Sequence, residues 1–118
     1  MKHITYSQQD QYPLCILVHS MNQKEIKEAY LDPFGIPEEE VLVLSLFQSE
    51  TAKKTSAKEI KEYIQTMLQP VMDEFQVQHI LCADAEYFKA FSKEKKADTK
   101  IGYVCDSVFG NQKISYVP

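Results

Sequence analysis

At 118 residues, with 44% hydrophobic and 25% charged side chains, the chain has the size and composition of one folded domain, which excludes a disordered tail. Its apolar runs reach only about half a dozen residues, against the roughly 20 that span a bilayer, so a membrane span is excluded and an intracellular, cytoplasmic protein is predicted. The net charge of −4 opposes general attraction to nucleic-acid backbone and leaves only local contacts.

Residues 1–13 read as a polar leader containing His3. Leu14-Cys15-Ile16-Leu17-Val18 follows Pro13 as a continuous aliphatic run, the pattern of a strand covered on both faces. Asn22 with Glu25 forms a capping-box pattern, and Ile26, Ala29 and Tyr30 recur at helical spacing up to the turn Asp32-Pro33-Phe34-Gly35. After Pro37 and the solvated turn Glu38-Glu39-Glu40, the run Val41 to Phe47 repeats the buried-strand signal, which predicts a parallel βαβ unit.

Ser56 and Glu59 mark a second helix start, and Ala57, Ile60, Ile64, Met67, Leu68, Val71 and Phe75 trace one face of a long helix. Pro70 lies inside it and predicts a kink or break near residues 66–70, because proline removes a donor and crowds the preceding turn. His79 to Ala83 is a third strand, and Asp84 caps a helix carrying Tyr87, Phe88 and Phe91. Tyr103-Val104-Cys105 and Ile114 to Val117 bracket Phe109-Gly110-Asn111-Gln112 as an antiparallel hairpin with a glycine turn. The expected fold is one α/β domain over residues 1–118. It is a three-layer α/β/α arrangement with a short, mainly parallel sheet and a C-terminal antiparallel hairpin. Because Pro118 directly follows a strand-like run, the chain is expected to be the N-terminal part of a larger protein.

In open parallel sheets, ligands bind at the carboxyl ends of the strands. The residues there are His19, Ser20 and Asn22 after the first strand, Ser45 and Gln48 at the second, and Asp84 after the third. His19 is a candidate general base without a visible partner, and Asp84 is a candidate acid for which a helix-capping role is the preferred reading. Lys53, Lys54 and Lys58 are candidate phosphate contacts at the same edge, allowing weak DNA binding. Three glycines in total leave no phosphate-cradling loop. Cys15, Cys82 and Cys105 sit apart in apolar runs, which predicts buried reduced thiols, and His3, His19 and His79 lack ligand spacing. Neither a metal nor a cofactor is expected.

Taken together, Phe34 to Ser45, Lys54 to Ile60 and His79 to Phe91 resemble the compact, thermophile-type uracil-DNA glycosylases. The first matches their glycine, acidic turn and strand; the second their passage into a long helix; the third their strand, small residues and helix. That resemblance implies the glycosylase-like fold. It also implies that the water-activating loop falls at His19-Ser20-Met21-Asn22-Gln23, without a carboxylate. The uracil-reading asparagine falls at Ser45, too short for paired amide contacts. The cysteine of the iron-sulfur subfamilies falls at Ser49, so no cluster is expected.

The run from Gly102 to Pro118 extends the resemblance to the N-terminal region of bacteriophage family A DNA polymerases, where a glycosylase-like domain lacks its catalytic motifs. What this implies is a non-catalytic replication accessory domain in the host-cell cytoplasm, whose partners are downstream polymerase domains or a replication protein. The alternatives are an active base-excision glycosylase with unusual residues and a flavodoxin-like regulatory module. A phosphorylated receiver needs an acidic cluster at its strand ends, and none is evident near Leu14 to Ser20.

Overall fold

Parallel strands buried on both faces must be aliphatic throughout, and Leu14–Val18 (β2) and Val41–Ser45 (β3) satisfy this almost residue for residue. In the computed structural model, which describes residues 3–19, 22–49 and 55–118, these strands form the centre of a mixed sheet with His79–Cys82 (β4) and Lys113–Tyr116 (β6). With His3–Thr5 (β1) and Cys105–Asp106 (β5), the sheet has six strands among the described residues, in the order β1-β3-β2-β4-β6-β5. Strands β3, β2, β4 and β6 run parallel; β1 and β5 close the two edges antiparallel.

The leader was therefore misread: His3–Thr5 pairs with Leu44, Val43 and Leu42 as an edge strand. Three residues of alternating polarity give too short a signal to separate from a loop. At the other end the hairpin is present but shorter than expected. Tyr103 and Val104 lie outside the strand, which begins at Cys105.

Between β2 and β3, helix α1 (Gln23–Ile26) opens on a complete capping box formed by Asn22 and Glu25. It widens into a π-helical turn, Lys27–Leu31. This wider spacing turns Ile26, Tyr30 and Leu31 to the sheet and leaves Ala29 exposed, contrary to the regular helical pattern. Gly35 then reverses the chain with φ of 63°.

The long helix divides as Pro70 requires. Helix α2 (Ala57–Tyr63) begins at Ser56, whose Oγ accepts the Glu59 amide and donates to the Glu59 carboxylate. A π-helical turn, Ile64–Leu68, follows, and the Gln69 amide donates to the Ile64 carbonyl. Pro70 thereby falls in the first turn of α3 (Gln69–Glu74), where its missing donor is harmless.

One face of the sheet, including Cys15, Leu17, Leu42, Leu44, Ile80 and Ile114, packs against Ile60, Ile64, Leu68 and Met72 and against α4 (Ala85–Ser92) through Tyr87, Phe88 and Phe91. On the other face, Ile16, Val18, Val41 and Val43 are covered by Ile26, Tyr30 and Leu31. The expected third layer stops there. The chain from α4 to β6 contains the β5 hairpin and not a second long helix. His79, Leu81, Ser115 and Val117 thus line an open groove of about 320 Å³ beside Phe34 and Val104. Phe34 and Val104 are 62% and 60% exposed.

Gly110, in the hairpin loop, does not have positive φ; it makes room. A Cβ there would lie 2.4 Å from Gln69 Nε2 and 2.5 Å from Gln112 Oε1. Those atoms are hydrogen-bonded to each other at 2.9 Å, and both amides donate to Asp73 Oδ1. Replacing Gly110 with Ala is expected to displace this buried cluster and to destabilise the fold by about 1–3 kcal/mol. Urea unfolding of G110A measures this, and an unchanged midpoint would show that the cluster yields freely.

Candidate functional site

In the parallel part of the sheet, the chain passes from β2 outward to β3, then returns across β2 to β4. The strand order therefore reverses between β2 and β4, and the crevice beyond their carboxyl ends is where open α/β sheets hold ligands. His19 follows β2 directly, and Asp84 follows β4 after Ala83. The parallel register that aligns Leu17 with Cys82 brings the two side chains together. His19 Nε2 lies 2.6 Å from Asp84 Oδ2.

Asp84 has a second task. Its Oδ1 accepts the Tyr87 amide at 2.9 Å, capping α4. The Tyr87 ring stands edge-on to the His19 ring, with centroids 6.3 Å apart, and its hydroxyl donates to the Phe47 carbonyl at 2.8 Å. Tyr63 continues the layer: its ring meets Tyr87 edge-on, and its hydroxyl donates to the Ser45 carbonyl at 2.9 Å. Burial pushes the Tyr87 hydroxyl far above the usual tyrosine range, and raises that of Tyr63. Both remain neutral donors at physiological pH.

The cleft above this layer holds about 150 Å³ and is lined by His19, Gln48, Thr55, Ile60, Asp84, Glu86 and Tyr87. Three of the expected edge residues, His19, Gln48 and Asp84, thus share one cleft. Ser45 lies beneath it, half-buried, with its carbonyl held by Tyr63. Asn22 caps α1 by accepting the Glu25 amide at 2.8 Å. Ser20, Lys53 and Lys54 lie outside the described residues. Lys58 is exposed on the first turn of α2 and does not line the cleft.

Cys82 is the thiol nearest this chemistry, but it is fully buried, donates to the Asp84 carbonyl at 3.3 Å, and is pushed up to about 12 by desolvation. Cys15 is also fully buried and raised for the same reason. Neither is a thiolate at neutral pH. Cys105 departs from the expected burial: it is half-exposed at the edge strand. Among the described residues, no three His, Cys, Asp or Glu side chains lie close enough to share a metal ion, and no helix is long and apolar enough to cross a membrane.

The sequence reading missed Asp84 as the partner of His19, and with it Tyr63, Tyr87 and Thr55 as parts of the site. One signal was available: both members of the pair sit immediately past strands that the βαβ pattern makes parallel. Compared with known proteins, the sequence matches no family model, and no curated protein matches it significantly.

The two tasks of Asp84 can be separated. Asp84→Asn keeps an oxygen for the Tyr87 amide, so it is expected to retain most of the fold's stability. Asp84→Ala removes the cap and is expected to cost about 1 kcal/mol more. Urea unfolding of both variants compares them, and equal losses would mean that the cap contributes nothing.

Proposed function

We propose that this chain is a non-catalytic, glycosylase-like accessory domain of a phage DNA replication polymerase, engaging DNA or a replication partner. The observation that carries this reading is how the described groups of the carboxyl edge engage one another and the backbone. His19 is bonded to Asp84, Asp84 to the start of α4, Tyr87 to the Phe47 carbonyl and Tyr63 to the Ser45 carbonyl. An excision site needs the opposite arrangement. It requires a carboxylate free to activate water and an amide aimed at the base edge of a nucleotide taken out of the stack. Here the one carboxylate bonded to His19 also serves as a helix cap. The amide position of the resembled glycosylases falls at Ser45, which offers only a hydroxyl. The polymerase context rests on the resemblance of Gly102 to Pro118.

A second reading has one specific observation in its favour. The His19 and Asp84 side chains are 2.6 Å apart and face a cleft, and a histidine held by a carboxylate is a recurrent general-base arrangement. An active glycosylase using this pair is the alternative.

Uracil release separates the two. With uracil-containing single- and double-stranded DNA, the protein is expected to release no uracil above a buffer control. Excision that disappears in His19→Ala would overturn the accessory reading and establish the pair as catalytic.

A further inference from the structure

We propose that the groove between α2 and α4 binds an acidic peptide segment carrying an apolar anchor side chain, presented by a protein partner. The inference rests on the accessory reading only in taking the occupant to be a partner and not a substrate.

The two helices lie side by side over the same face of the sheet, and the groove along their outer surface holds about 460 Å³. Its apolar lining includes Ala90, Val108 and Phe109, and its cationic lining is Lys61, Lys89 and Lys93. The floor is fixed. The Val108 amide donates to the Phe91 carbonyl at 2.8 Å, and the Phe109 ring stands edge-on to Phe91 with centroids 5.8 Å apart. Val108 is nevertheless 48% exposed. An apolar floor pinned in place and open to water is suited to receiving a side chain.

The charge around it identifies the occupant. The whole chain carries a net charge of −4, yet this groove gathers three lysines. Lys89 is paired with Glu86 at 2.9 Å, whereas Lys61 and Lys93 have no carboxylate partner among the described residues. Lys93 ends α4 in the left-handed conformation, φ 59°, a position where glycine is the usual residue. A cationic side chain is thus held at the groove at the expense of the residue that the backbone favours. A bare phosphate backbone matches the lysines but leaves Val108 and Phe109 uncovered. An acidic segment with a leucine or phenylalanine among its carboxylates matches both.

The test uses the full chain and a fluorescein-labelled short peptide with Leu-Phe at its centre and Asp on either side, read by polarisation. Controls are the same peptide with Asn for Asp, the same peptide with Ser-Ser for Leu-Phe, and labelled oligothymidylate. The acidic apolar peptide is expected to bind, and each control peptide to bind at least about tenfold more weakly. The charge reversals K61E and K93E together, and V108D separately, are expected to weaken binding by a similar factor while circular dichroism stays unchanged. Absence of peptide binding, equal binding by the folded variants, or tighter binding of oligothymidylate would overturn the proposal. Uracil release by the same preparation would instead overturn the accessory reading, so the two failures are distinguishable.

Discussion

A single carboxylate organises the edge of this sheet. Asp84 offers one oxygen to the first turn of α4 and the other to His19 at the end of β2. It thereby ties together the two strands between which the chain reverses direction. Capping a helix and holding a histidine make compatible demands, since each uses a different oxygen. Together they fix the side-chain rotation, which neither would fix alone. Tyr87 sits in the turn that Asp84 caps, and its hydroxyl carries the connection onward to the segment after β3. The carboxyl ends of β2, β3 and β4 are therefore linked through side chains as well as through the strand ladder.

That linkage has a chemical consequence. A group that activates water or reads a base must leave a lone pair or a donor for the ligand, and several of the described polar groups at this edge are already engaged. The hydroxyls of Tyr63 and Tyr87 are directed to backbone carbonyls, and the adjacent thiol of Cys82 is buried and protonated. Two open grooves lie elsewhere. On one side is the lysine-rimmed groove between α2 and α4. On the other, His79, Leu81, Ser115 and Val117 line an open groove where a parallel sheet is ordinarily covered.

Much of this was legible in the sequence because burial writes a strong pattern. Leu14–Val18 and Val41–Ser45 admit hardly any other reading, and the caps at Asn22, Ser56 and Asp84 stand where the side-chain chemistry indicates. Pro70 correctly marked an interruption, although the π-helical turn that accommodates it lies just upstream and has no residue signature of its own. What escaped was set by tertiary context. His3–Thr5 is a strand because β3 offers an unpaired edge. Gly110 is required by a glutamine pair contributed by α3 and by the residue before β6. In the candidate site, His19 and Asp84 were each identified separately. Their contact depends on register across a sequence separation of 65 residues, which no local pattern encodes.

The claim on which the account stands is that His19 and Asp84 act on each other. A double-mutant cycle of His19→Ala and Asp84→Asn, read by urea unfolding at neutral pH, measures this directly, since Asn preserves the cap and leaves the pairing as the principal difference. Both side chains are partly exposed, at 35% and 23%, so solvent screening holds the predicted coupling to about 0.5–1 kcal/mol. Additive losses, with no coupling between the two positions, would contradict the account.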